Sequence, residues 1–180
     1  MMFNDRLRRV ARRFRKSETG SATIEFVFVF IFFFSALAAA VEMGMLNFRH
    51  AMLERAVDLT IRDIRLGTGN VPAHSELLTI ICDRAAIIPQ CQGNLRLEMI
   101  SVDPRAFGTF GQSADCLNGA EDPRPVRAFV SGQDNDLMLI RACLKYQPIF
   151  PTAGLGNVLS KDSQGYAHML VTSSFVQEPR

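Results

Sequence analysis

The chain contains no tryptophan, only three histidines, and no GxSxG, HExxH or phosphate-binding glycine-loop pattern. Without a nucleophile elbow, a zinc-protease helix or a P-loop, it offers no assembled catalytic motif, and neither an enzymatic activity nor a cofactor is expected. The histidines do not fill the gap. His50 stands four residues before Glu54 on a helical stretch, so the two can touch, but no third ligand is apparent; His74 is expected in a turn, and His168 alternates within a strand. No CxxC pair and no Cys–His spacing argues for zinc. Internal repeats are absent, and 180 residues suit one modest domain plus an anchoring segment rather than two full domains.

Basic charge is also missing from most of the chain. Residues 1–20 hold Arg6, Arg8, Arg9, Arg12, Arg13, Arg15 and Lys16 against Asp5 and Glu18, a net +5, whereas the total is +2 and the remaining 160 residues therefore carry −3. A basic tail before a mildly acidic body favours membrane orientation over nucleic-acid binding, because no basic face extends past the tail. The stretch after the tail is apolar. Six of the fourteen phenylalanines lie between Phe26 and Phe34, and Phe26 to Val41 is free of charge. As a helix those residues span about 24 Å, short of the ~30 Å hydrocarbon core. Flanks from Ser21 and to Phe48 make the segment long enough, at the cost of admitting Glu25 and Glu42. By the positive-inside rule, residues 1–20 are cytoplasmic and the remainder lies outside.

Three readings fit this segment. An uncleaved signal anchor accounts for the charge and the apolar run but leaves Glu25 as an unexplained cost. A secretory signal peptide accounts for Ala38 to Ala40 as a small-residue cleavage site and predicts a mature chain starting at Val41. A prepilin-type leader is cut on the cytoplasmic side, after Gly20, so that Ser21 becomes the first residue and Glu25 the fifth. Only the last explains the acid. A carboxylate in the bilayer centre costs about 2.5–3.5 kcal/mol on insertion scales, and an α-amino group offered by a neighbouring subunit relieves that cost in the assembled state. The plainer alternative is a glutamate snorkelling towards headgroups.

With Gly20 before the cut, Glu25 five residues after it and the aromatic Phe26 next, the segment resembles the prepilin family. The run from Gly20 through Arg65, with its "EF" step, its apolar stretch, Glu42-Met43-Gly44 and the amphipathic continuation, looks like the TadE-like pseudopilins of the tight-adherence (Flp) pilus system over residues 15–66. The resemblance implies a prepilin-peptidase substrate and a minor component or assembly factor of a bacterial surface pilus, with other pseudopilins as partners and the inner membrane as its site. Residue 26 is Phe where major pilins of this system typically have Tyr, and the chain is much longer than theirs; both features point to a pseudopilin. Ser21, in place of the Phe common at the first position of other type IV pilins, means that N-methylation does not carry over.

Beyond Gly44 the pattern becomes amphipathic. Leu46, Leu53, Val57, Ile61 and Ile64 form one stripe, with Asp58 and Arg62 spaced for an i,i+4 pair. The glycines after Leu66 end the helix, so residues 21–66 read as one helix of about 69 Å or two joined at Gly44. The stripe suits a pilin-like spine under a head or an ordinary helix docked on its own core. Four parts are expected: a leader (1–20), a transmembrane helix (21–48), its amphipathic extension (49–66) and an external head (71–180).

In the head, Ser75 to Ile87 reads as a short helix stopped by Pro89. Leu95–Val102, "VRAFVS", "DLMLIRACLKYQ" and "YAHMLVTSSFV" read as four strands. The fold class is α+β: a long N-terminal membrane-inserting helix followed by a small external domain with an antiparallel sheet, pilin-like. Gly67, Gly69, Gly154 and Gly156 read as turn glycines. All four cysteines fall on the external, oxidising side and allow three connectivities. The favoured pairs are Cys82–Cys91, closing a turn, and Cys116–Cys143, tying a long loop to a strand.

Overall fold

The computed structural model describes residues 19–66, 72–105, 114, 116 and 129–179; Arg6 to Lys16 of the basic leader, the glycines at 67 and 69 and the first half of "VRAFVS" lie outside these. The chain divides into two compact units between Val41 and Glu42.

Helix α1 runs Thr19–Leu66 without interruption at Gly44. It contains no proline, and a Cβ placed on Gly44 would meet nothing within 4 Å, so no packing contact among the described residues requires that glycine. Up to Leu37 the side chains from Ser21 onward are exposed. From Glu42 on, the helix has a buried side. Leu53, Ala56, Val57, Thr60, Ile61 and Ile64 are buried and Leu46 is half-buried, as the stripe predicts. On the polar side His50 meets Glu54, and ion pairs join Arg65 to Glu178 and Asp63 to Arg84; among the described residues none joins Asp58 to Arg62.

Helix α2, His74–Arg84, buries Leu77, Ile81 and Cys82. It ends three residues earlier than the sequence pattern suggests. Pro89 disfavours helical geometry at the residue before it, and Ala85 already leaves helical angles while its N–H closes the last turn on the Ile81 carbonyl. His74 therefore opens a helix, contrary to its expected place in a turn. Gln90 takes a left-handed conformation and leads into the single turn α3, Cys91–Asn94. Arg84 ties α2 to α1: its guanidinium donates to Thr60 Oγ1 (3.0 Å) and pairs with Asp63, while the Thr60 hydroxyl donates to the Ala56 carbonyl.

Strands β1 (Leu95–Val102), β2 (Leu137–Tyr146) and β3 (Ala167–Val176) form one antiparallel sheet in that order. Leu95 pairs with Leu144, Val102 with Leu137, Leu137 with Val176 and Tyr146 with Ala167. Period-two alternation sends Leu95, Leu97, Met99, Met138, Ile140, Ala142, Leu144, Met169, Val171 and Phe175 into one cluster with the buried stripe of α1 and with Leu77 and Ile81. The fold is thus α+β, with helices against one face of a three-stranded antiparallel sheet.

Of the expected fourth strand, only Phe129 to Ser131 fall among the described residues. Phe129 makes a single parallel bridge to Met99, through Val130 N–H to the Met99 carbonyl. The chain then turns at Gln133–Asp136, where the Asp136 side chain accepts from Gln133 N–H, so the pairing is not extended beyond Val130 towards β2. Helix α4, Gly154–Val158, lies in the β2–β3 connection, where the sequence pattern suggests only turn glycines.

Candidate functional site

At the start of α1, Gly20 and Ser21 lie in the first turn, and Glu25 and Phe26 one turn further on, with Ser21, Glu25 and Phe26 exposed. Phe26, Phe30 and Phe34 recur every four residues and stack in series, with centroids 5.6 and 5.8 Å apart. Ile24, Phe28, Val29, Ile31, Phe32 and Phe33 cover the remaining sides, all more than half exposed. A helix that is apolar all round must be covered by something apolar. This is the one helix among the described residues long and apolar enough to cross a membrane. Ser21 to Val41 spans about 31 Å at 1.5 Å per residue, one hydrocarbon thickness, and Glu25 is its only charge.

The next residue, Glu42, enters the sequence reading as a cost of lengthening the span. It is instead one of the best-satisfied groups in the head. Its side chain is 3% exposed, and its two oxygens accept the backbone N–H groups of Ile149 (3.1 Å to Oε1) and Phe150 (2.9 Å to Oε2). The sequence holds one signal of this. No Lys or Arg stands three or four residues either side of Glu42, so a partner for the carboxylate has to come from elsewhere in the chain. That the partner is backbone 107 residues away is not legible there.

The segment that Glu42 holds is closed from its other side. Lys161 donates to the Pro151 carbonyl (2.8 Å) and to the Gly156 carbonyl. Gly156 is buried, and a Cβ there would come within 2.4 Å of the Phe150 carbonyl oxygen, so only glycine lets α4 lie against this turn. At the end of β2, Tyr146 is buried beneath the Arg49 guanidinium, 5.9 Å from the ring centroid. Burial pushes the Tyr146 hydroxyl above its ordinary pKa, the Glu42 charge adds to this, and Arg49 opposes it. Helix α1, the β2 terminus and the turn after it thus form one polar knot at the residue where the apolar run ends.

Cys82 is bonded to Cys91 and Cys116 to Cys143, with Cα separations of 5.6 and 5.3 Å. The first joins α2 to α3, and the second fixes Cys116 to β2. On the sheet face opposite the helices, Glu98 and Arg141 sit opposite one another in the β1–β2 register and form a part-buried ion pair (2.6 Å). Asp162 accepts from Lys145 (2.9 Å) and from the N–H groups of Gln164 and Tyr166, shaping the turn into β3. Burial raises its pKa, but these donors outweigh it and hold the carboxyl below its ordinary value.

The histidines stay apart. His50 reaches Glu54 (3.5 Å) and donates through Nε2 to the Leu170 carbonyl (3.2 Å). His74 packs edge-on against Phe129, and burial lowers its pKa, opposed by a backbone hydrogen bond to Leu97 and aided by Arg96. His168 lies exposed on β3. Among the described residues, no three His, Cys, Asp or Glu side chains are grouped to hold a metal ion.

The family model described as "TadE-like protein" matches residues 20–62, and the resemblance drawn over 15–66 is borne out across that stretch. No curated protein and no solved structure matches the chain. The matched segment begins at Gly20 and contains Glu25, the apolar run, Glu42 and most of the buried stripe.

Proposed function

We propose that the chain is a membrane-anchored pseudopilin, a minor pilin-like subunit acting in assembly of a tight-adherence (Flp-type) pilus and cut by a prepilin peptidase after Gly20. The TadE-like match over residues 20–62 carries this reading, since it opens at the residue where such a peptidase would cut. A single N-terminal apolar helix suits a single-pass membrane protein. The net +5 before it favours a cytoplasmic N-terminus in the bacterial inner membrane and a periplasmic head, where the two disulfides would persist. The role is assembly rather than catalysis, with lipid, the peptidase and other pseudopilins as partners.

In this reading Glu25 is the docking group. It lies four residues, about 6 Å, inside the span from Ser21. Cleavage would place a new α-amino group at Ser21 of each subunit, and a neighbour's amine would pair with the carboxylate. The misfit is then relieved only when subunits are correctly staggered. The test is the mass of the mature protein, recovered from membranes of a host that carries a prepilin peptidase. Loss of residues 1–20 is expected. A chain that keeps them under those conditions overturns the processing step and leaves an uncleaved single-pass envelope protein with an external binding or sensory domain. In a processed chain, Glu25→Gln should insert normally but fail to co-purify with other pilus components.

A further inference from the structure

We infer that the β2–β3 connection, Pro148 to Val158, is a membrane-contacting foot of the head, and that Ile149, Phe150 and Val158 enter the interfacial layer of the bilayer. The inference rests on the reading of Ser21 to Val41 as a membrane span. Four observations carry it. Ile149, Phe150 and Val158 are 40%, 37% and 80% exposed and fall within one short connection, Val158 being the most exposed large apolar side chain among the described residues. The connection is tethered at the boundary, because Glu42 binds the N–H groups of Ile149 and Phe150 and directly follows Val41 in the chain. No acidic residue occurs between Tyr146 and Lys161, and Lys161 is the first charge after Lys145, so the connection itself adds no negative charge to the Glu42 carboxylate buried against it.

The fourth observation concerns the backbone. An irregular segment enters a low-dielectric layer only if its polar groups are satisfied within the protein. Here the carboxylate takes two of its N–H groups, and Lys161 caps the Pro151 and Gly156 carbonyls. The Phe150 carbonyl accepts from Ala153 N–H, and the Leu155 carbonyl from Leu159 N–H. A surface loop in water has no need of such closure, whereas one that lays apolar side chains against acyl chains does.

The absence of tryptophan makes a direct test available, because any introduced tryptophan is the sole reporter. Full-length chains carrying Phe150→Trp, Val158→Trp, Leu170→Trp or Phe32→Trp would be reconstituted in phosphatidylcholine–phosphatidylglycerol vesicles. Emission would be read against aqueous iodide and against lipids brominated near the headgroup or near the chain end. Position 170 is exposed on β3 and serves as the water-facing control; position 32 reports the span itself. The expected result is blue-shifted emission at 150 and 158, quenched by headgroup-proximal bromine and shielded from iodide, with 170 open to iodide. If 150 and 158 are as open to iodide as 170 while 32 is quenched by deep bromine, the foot is overturned and the span stands. Shielding of 150 and 158 from both quenchers means that a protein surface covers them, which also overturns the foot. If position 32 escapes lipid quenching, the span fails and the inference falls with it. Val158→Trp lies at the end of α4 and 80% exposed, so it reports even if Phe150→Trp disturbs the turn.

Discussion

Replacing Glu42 tests how the head is joined to the end of the apolar run. Each carboxylate oxygen accepts one backbone N–H in a site only 3% exposed. Hydrogen bonds to a charged group contribute about 1.5–3 kcal/mol each. Ile149 and Phe150 are part-exposed, so their freed N–H groups recover some hydration, and the lower half of the summed range applies. Glu42→Ala should therefore destabilise the pinned turn by about 3 kcal/mol. Glu42→Gln keeps one carbonyl acceptor but turns an NH₂ towards the second donor, for a cost of about 2 kcal/mol. Amide hydrogen exchange of the reconstituted chain, resolved to the segment containing Ile149 and Phe150, is the direct assay. A local loss of about 2 kcal/mol speeds exchange roughly 30-fold. Protection in β1 and β2 should change much less, because their ladder does not involve Glu42. Unchanged exchange at 149 and 150 in both variants would refute the reasoning, as it would mean that the two hydrogen bonds do not hold the turn.

Gly156→Ala should free the same turn from the opposite side. Its Cβ overlaps the Phe150 carbonyl, which is backbone and cannot rotate away, so a cost of about 1–3 kcal/mol and faster exchange at 149 and 150 are expected with Glu42 intact. Glu98→Ala removes the carboxylate that Arg141 meets at 2.6 Å on the sheet face and should lower head stability in denaturant titrations, while replacing both partners with apolar residues of similar volume should cost less. Asp162 has a depressed folded-state pKa, so its contribution is fully present above the ordinary carboxylate range and is lost as pH falls through the folded value; Asp162→Asn should flatten that part of the acid limb of a stability–pH curve.

The elements legible in the sequence are those written in local periodicity. The stripe Leu53, Val57, Ile61, Ile64 is buried on α1, and β1 falls on the residues whose alternation marks it, because side-chain direction within a helix or strand follows from backbone geometry alone. Among the described residues of "VRAFVS", Phe129 pairs with Met99 while Val130 and Ser131 extend no ladder, since pairing needs a neighbour in register as well as a favourable local pattern. The end of α2 departs from its local pattern for a related reason: Ala85 to Ile87 favour helix by composition, but Pro89 and the return to Cys91 leave no room for another turn.

By itself, then, the sequence determined the polarity of the chain: a basic start, an apolar span with one acid near its beginning, and a head whose helices and strands carry their own inward faces. These depend on charge, hydropathy and residues a few positions apart. Tertiary structure alone decided what becomes of Glu42. Its partners are two main-chain N–H groups, which have no side-chain signature and stand more than a hundred residues away, and only the return of the chain after β2 to the middle of α1 brings them within hydrogen-bonding reach.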